Sequence, residues 1–191
     1  MKLLVTDIDD VVLCWLPSFR LFAEKRLGKK LLGHPKVWDL SNWLKVTPAI
    51  SKDLINEFNN SDTFKSLHSL PNASLRFSEF KQNGYNIIGS TACGTDLTIM
   101  QNRNLNINLH FPDIFTKIIY VNSSKEKDNH LSLFNNENLN TKIFVEDSYE
   151  NCLFGIKHGF KTYGIKYPHN HKHMVKHSDI ILVDNWKDIN P

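Results

Sequence analysis

From Tyr85 onward the sequence changes its period at regular intervals, and this alternation restricts the fold more than any other feature. Tyr85 to Ser90, Lys117 to Val121, Lys142 to Val145, Thr162 to Ile165 and Ile180 to Val183 are short strand-like runs. Asp96 to Leu105, His130 to Phe134 and Glu150 to His158 are helix-like, the last closed by Gly159. Strands alternating with helices predict a parallel sheet covered on both faces. Lys2 to Thr6, an apolar run ending in acids, adds one buried strand at the start. The expected fold class is α/β, a Rossmann-like parallel sheet.

The stretch from about 14 to 75 breaks this rhythm and reads as an insertion. Within it, Ser18 to Leu27 has helical spacing and Gly28 stops it. Pro48-Ala49-Ile50-Ser51 reads as a loop entering a second helix, with Ser51 as its cap. Pro71 and Asn72 open a helix to Gln82, and Asn83-Gly84 closes it. A length of 191 residues suits one domain carrying such an insertion, and 41% hydrophobic residues suffice for its core. No internal repeat is visible. The asparagines at 102, 104, 106 and 108 carry no functional reading.

The charge balance is 23 Lys and Arg against 20 Asp and Glu. The resulting +3 is small and dispersed, and the basic cluster Lys25, Arg26, Lys29 and Lys30 reads as a solvated helix face. A nucleic-acid partner is therefore not expected. No apolar run reaches the roughly 18 residues of a membrane span, and Asp7, Asp9 and Asp10 interrupt the only N-terminal candidate for a signal peptide. No membrane partner is expected either. Cys14, Cys93 and Cys152 are odd in number and widely spaced, as in reduced thiols of a cytoplasmic protein.

In an open α/β sheet, ligands bind beyond the carboxyl ends of the strands. The first strand ends Asp7-Ile8-Asp9-Asp10-Val11, and a later one ends Val145-Glu146-Asp147-Ser148. Carboxylates at adjacent strand ends repel unless a cation lies between them, and all-oxygen ligands suit Mg²⁺. The second strand ends Gly89-Ser90-Thr91, and a Lys-containing loop, Ser123 to Asp128, follows the third. A hydroxyl and a Lys there suit phosphate oxygens.

This order of strand ends resembles the haloacid dehalogenase-like phosphohydrolases. Asp7, Asp9 and Val11 match their first motif, and Thr91, with Ser90 as the alternative, matches the second. Lys127 matches the third, with Lys125 as the alternative, and Glu146, Asp147 and Asn151 match the fourth. The resemblance implies a phosphomonoesterase. Asp7 would be its nucleophile and Asp9 its general acid and base. Thr91 and Lys127 would bind the phosphoryl group. Mg²⁺ would be held by Asp7, the main-chain carbonyl of Asp9 and Asp147, with Glu146 assisting directly or through water. Asn151 would orient the motif. Asp10 stands where capped members often have Gly; Asp is among the few other residues that tolerate positive φ.

The same resemblance makes the insertion a small helical cap. The core would comprise residues 1–13 and 71–191 and the cap residues 14–70. Asp62-Thr63-Phe64-Lys65-Ser66-Leu67 with Leu70-Pro71-Asn72-Ala73 is similar to the deoxyribonucleotidase branch. That similarity implies a deoxynucleoside or nucleoside monophosphate as substrate. Trp15, Phe19, Trp38 and Trp43 are candidates to stack its base, although each taken singly reads as cap core. The alternatives are a phosphatase for a phosphosugar or other small phosphate ester, and a catalytically silent binding module. A polynucleotide end-processing phosphatase finds little support in the net charge. His169, His171, His173 and His177 have no Cys or acidic partner in sequence and read as an exposed loop rather than a metal site.

Overall fold

The computed structural model describes residues 1–37, 39–135 and 139–191. Six strands form one sheet: β1 (Lys2–Asp7), β2 (Tyr85–Thr91), β3 (Lys117–Tyr120), β4 (Thr141–Glu146), β5 (Lys161–Ile165) and β6 (Ile180–Val183). Their order is β3-β2-β1-β4-β5-β6, and every neighbouring pair is parallel. The chain first builds outward from β1 through β2 to β3, then returns to place β4 on the other side. That reversal opens a crevice at the carboxyl ends of β1 and β4.

Both faces of the sheet are apolar, as a buried parallel sheet requires. Leu3 and Val5 pack with Ile88, Phe144 and Phe160 on one face, and Leu4 packs with Ile87, Ile143 and Val145 on the other. The helices are α1 (Trp15–Leu27), α2 (Ser41–Leu44), α3 (Pro48–Asn59), α4 (Ala73–Gln82), α5 (Leu97–His110), α6 (Ser124–Ser132), α7 (Tyr149–Lys157) and α8 (His171–Met174). Helix α7 approaches β4 and β5 closely at Gly155, where a Cβ would lie 2.5 Å from Phe144 Cδ1. Among the described residues, no helix is long and apolar enough to cross a membrane.

Helices α1 to α3 lie in the segment between β1 and α4. This segment leaves and returns along paired backbone: Cys14 N donates to His68 O and Leu70 N to Val12 O, each at 2.8 Å. Phe19, Phe58 and Phe64 are fully buried within it. Trp15 stacks on Phe19 at 4.7 Å between ring centroids and donates its indole N–H to Asn59 Oδ1. Phe19 is therefore core, as each of these aromatics reads when taken singly, and its full burial removes it as a base-stacking candidate. Trp38 lies outside the described residues.

Several local expectations change in the structure. Helix α3 begins at Pro48 rather than after Ser51. Proline suits the first helical position, where its missing N–H costs no hydrogen bond. The cap is Thr47, whose hydroxyl accepts from Ile50 N, while Ser51 is buried in the first turn. Helix α1 begins at Trp15, three residues earlier than expected. The Asp10 carboxylate accepts from Leu16 N at 2.9 Å, so the capping group stands five residues before the helix rather than at the cap position itself. Helix α6 begins at Ser124, and residues 124–128 are helix rather than loop. Its first turns are polar, so apolar spacing does not reveal them, but Glu126 accepts from Asn122 N and draws the turn closed. Finally, the histidine run contains α8, and it is not uniformly exposed. His171 and His173 are exposed, whereas the His169 side chain is only 4% accessible.

The Thr47 assignment has a direct check. Thr47→Ala is expected to cost about 1 kcal/mol of unfolding free energy, the usual effect of losing such a cap. Ser51→Ala is expected to stay within about 0.5 kcal/mol of the parent. Urea unfolding of both variants decides the order.

Candidate active site

The strand order brings the ends of β1, β2 and β4 side by side. Asp7 closes β1, Thr91 closes β2 and Glu146 closes β4, with Asp147 following. One ligand oxygen from each of Asp7, Glu146 and Asp147 falls within 4.8 Å of the others. All three residues are buried.

Lys127, from α6, enters this group. Its Nζ donates to Asp7 Oδ1 at 2.6 Å and to Glu146 Oε2 at 3.0 Å. Lys125 is exposed, two residues earlier on the same helix. Burial alone would lower the Lys127 pKa, but Asp7 and Glu146 together raise it, so the ammonium keeps its charge. Glu146 is fully engaged: Oε1 accepts from the backbone N–H of Asp147 and Ser148, and Oε2 also accepts from Asn151 Nδ2 at 3.2 Å. The Asp147 carboxylate differs. Among the described residues, neither of its buried oxygens has a hydrogen-bond partner, and His169 Nε2 lies 3.6 Å away.

A buried carboxylate without a donor is expensive, and this one sits beside two others with a single ammonium among them. Burial, reinforced by Glu146 and opposed by Lys127, pushes the Asp7 pKa up to about 7. Burial and the charges of Asp7 and Asp10 push Asp147 well above the carboxylate range. The donor set is all oxygen and short of positive charge, which fits a hard divalent cation such as Mg²⁺.

Asp9 belongs to a second group. Arg103 Nη2 pairs with Asp9 Oδ1, and Thr91 Oγ1 donates to Oδ2 at 3.2 Å. The Arg103 side chain is fully buried in α5, with its guanidinium 4.3 Å from the ring centroid of Phe64. Burial raises the Asp9 pKa, and Arg103 opposes the rise. Ser90 is also buried at the end of β2. Asp10 turns away from these groups. Its φ is 57°, as the departure from Gly required, and its carboxylate caps α1. Burial pushes its pKa up to about 8, with Asp9 and Asp7 adding to the rise.

Sequence reasoning missed the part that five residues play around the site. Arg103 was hidden among the asparagines of α5; a lone Arg within a helix otherwise short of charge was the available signal. Tyr167 donates its hydroxyl to Asp10 O at 2.7 Å. Asn170 donates from Nδ2 to Asp147 O and Ile165 O. His169 stacks on Tyr167 at 5.6 Å, and His34 from the inserted segment stacks against both at 5.9 Å. These ring contacts depend on a loop meeting the insertion, which no spacing encodes.

No family model matches the sequence. A curated relative, the uncharacterized 32.4 kDa protein of the Gp30-rIII intergenic region of Enterobacteria phage T4, is 25% identical over 156 residues. The match covers 78% of this chain and 55% of that protein, so the chain spans about half the length of the curated relative it matches. Solved structures resemble it throughout. A haloacid dehalogenase-like hydrolase from Streptococcus pneumoniae has a TM-score of 0.65 at 13% identity, covering 95% of this chain and 93% of its own. CbbY from Rhodobacter sphaeroides, in complex with xylulose-1,5-bisphosphate, scores 0.63 at 13% identity and covers 97% and 94%. YfnB from Bacillus subtilis, bound to magnesium, scores 0.60 at 14% identity and covers 98% and 96%. The chain therefore has the haloacid dehalogenase-like fold, an α/β architecture whose central sheet is the six-stranded parallel one described above.

The raised carboxylates have a measurable consequence. Without a cation, Asp7 titrates near 7 and Asp10 near 8 in the folded chain, against an ordinary value of 3.8. The folded state then holds more protons than the unfolded chain between about pH 4 and 8, so stability falls as pH rises through that window. The melting temperature in chelator is expected to be lower at about pH 8 than at about pH 5.5, and Mg²⁺ is expected to restore it chiefly at the higher pH. A melting temperature in chelator that climbs with pH would contradict this charge balance.

Proposed function

We propose that this chain is a Mg²⁺-dependent phosphomonoesterase that works through an aspartyl-phosphate on Asp7. The observation that carries the reading is the buried Asp147 carboxylate, without a hydrogen-bond partner among the described residues, grouped with Asp7 and Glu146 at the crevice where Lys127 meets Asp7. A silent binding module has no use for so costly an arrangement. The hydrolases of the same fold, one of them bound to magnesium, support the class.

In this reading an Asp7 oxygen attacks phosphorus and the ester P–O bond breaks. Asp9 gives its proton to the departing alkoxide and then takes one from the water that cleaves the aspartyl-phosphate. Burial, which raises the Asp9 pKa, favours the protonated form needed in the first step. Arg103 and Thr91 hold both oxygens of its ionised form. Thr91 and Lys127 receive the phosphoryl oxygens, with Ser90 beside Thr91 at the strand end. Asp7, the Asp9 carbonyl and Asp147 would hold the Mg²⁺, and Glu146 positions Lys127 from behind. The bound cation supplies positive charge to the phosphoryl oxygens.

The inserted helices act as the cap, residues 14–70 over a core of 1–13 and 71–191, and exclude water from the transfer. The substrate is a small phosphate ester, a nucleoside or deoxynucleoside monophosphate in the first instance. Trp43, half-buried beside an open groove, is the candidate for the base. A phosphosugar is the second reading, favoured by the sugar bisphosphate bound to CbbY. Three free cysteines, two of them buried, support a cytoplasmic location.

The test is phosphate release from 4-nitrophenyl phosphate, a range of nucleotides and a range of sugar phosphates. Release is expected only with Mg²⁺. Asp7→Asn is expected to remove turnover while keeping the melting transition, because the amide preserves shape but not nucleophilicity. Substantial turnover in that variant, or full activity in chelator, refutes the mechanism.

The phosphate contact has its own check. Lys127→Ala is expected to lower kcat about 100-fold or more, the scale of losing one preorganised donor to transition-state charge. Lys125→Ala is expected to leave kcat unchanged. The reverse ranking would place the phosphate on the other face of α6.

A further inference from the structure

The net positive charge of the chain lies in the inserted segment. Residues 14–70 hold nine Lys and Arg against five Asp and Glu. Four of these lysines, Lys29, Lys30, Lys36 and Lys45, line one groove of about 380 Å³, together with Trp43 and His34. Glu24 pairs with Lys30 at 3.1 Å. Lys29, Lys36 and Lys45 are exposed and make no ion pair among the described residues. The one acid in the groove, Asp39, is turned to the backbone, accepting from Ser41 N at 2.9 Å. Trp43 donates its indole N–H to Leu32 O, which holds the ring half-buried at the groove.

One residue of the groove is linked by side-chain contacts to the carboxylates. His34 forms part of its lining and stacks on Tyr167 and His169. Tyr167 donates to Asp10 O, and His169 lies 3.6 Å from an Asp147 oxygen. Unpaired ammonium groups beside an aromatic ring match a chain of alternating phosphates and bases. The strand ends match a terminal phosphate monoester.

We infer that the groove of Lys29, Lys36, Lys45 and Trp43 binds single-stranded nucleic acid and presents its phosphorylated end to Asp7. The inference rests on the phosphomonoesterase reading for the chemistry and adds the class of substrate. The terminal P–O ester bond is the one broken; the oligonucleotide leaves with a free hydroxyl and water supplies the oxygen of inorganic phosphate. An acidic peptide shares the charge but not the stacking. The small net charge of the whole chain conceals the site, because the remainder of the sequence carries a slight excess of acids.

Two measurements on the full chain test it. The first is fluorescence anisotropy with a labelled twelve-residue oligothymidylate lacking a terminal phosphate. Three phosphate contacts predict a logarithmic salt slope of about −2, or about 20-fold weaker binding for a fourfold rise in salt. Lys29→Gln, Lys36→Gln and Lys45→Gln combined are expected to remove that binding. Equal binding by the parent and the triple variant, or polyglutamate bound as tightly as the oligonucleotide, overturns the inference.

The second is phosphate release from 5′- and 3′-phosphorylated forms of the same oligonucleotide, against thymidine monophosphate and 4-nitrophenyl phosphate. One phosphorylated end is expected to exceed the mononucleotide in kcat/KM by about tenfold or more, which is 1.4 kcal/mol or more. The triple variant is expected to lose that preference while cleaving 4-nitrophenyl phosphate as the parent does. A mononucleotide equal to both oligonucleotides overturns the inference and leaves the phosphatase reading standing. No release from any ester refutes the phosphatase reading, and the anisotropy result then decides the groove by itself.

Discussion

Everything at the functional end of this molecule follows from carboxylates forced together in a buried place. The strand order sets β1 between β2 and β4, so Asp7 and the Glu146-Asp147 pair must emerge side by side. Neither can retreat, because each continues a strand whose apolar residues are locked into the sheet. One ammonium, Lys127, answers Asp7 and Glu146. Among the described residues, Asp147 is left without a donor. A fold that only needed stability would replace such a cluster with apolar side chains. The proposed cation answers this shortage of positive charge.

The neighbouring carboxylates are kept apart by different partners. Asp9 is held by Arg103 and Thr91, and Arg103 is itself covered by Phe64 from the inserted segment. Asp10 spends its oxygens on the first turn of α1. Three acids within four residues of sequence thus have three distinct environments. The inserted segment participates in two of them. Its first helix is capped by the loop of the site, and its return path covers the arginine that holds Asp9. Chemistry at the strand ends and the position of the insertion are therefore mechanically linked.

The insertion also separates charge in space. Four of its seven lysines line the groove at Trp43, and His34 of that groove stacks on Tyr167 and His169. In the proposed reading, a positive approach to a negative centre steers anionic esters toward the strand ends. An average over the whole sequence reports neither pole.

The sequence alone determined the parallel α/β class, since alternating strand and helix periods leave few other ways to bury every apolar run. It also determined the acidic and hydroxylic strand ends, because side chains at such ends project into the crevice in any open sheet of this type. Position 10 was legible too, as Asp tolerates the left-handed turn that the chain makes there. Helix boundaries without an apolar or adjacent-cap signal were not legible: α1 is capped by Asp10 from five residues upstream, and α6 begins with solvated turns. Only the tertiary structure decided that Arg103 meets Asp9, that His169 lies beside Asp147 and that Phe19 is buried. The physical reason is the same in each case. Local periodicity records which face of an element is apolar, whereas ion pairs, ring stacks and grooves depend on which elements the completed fold brings into contact.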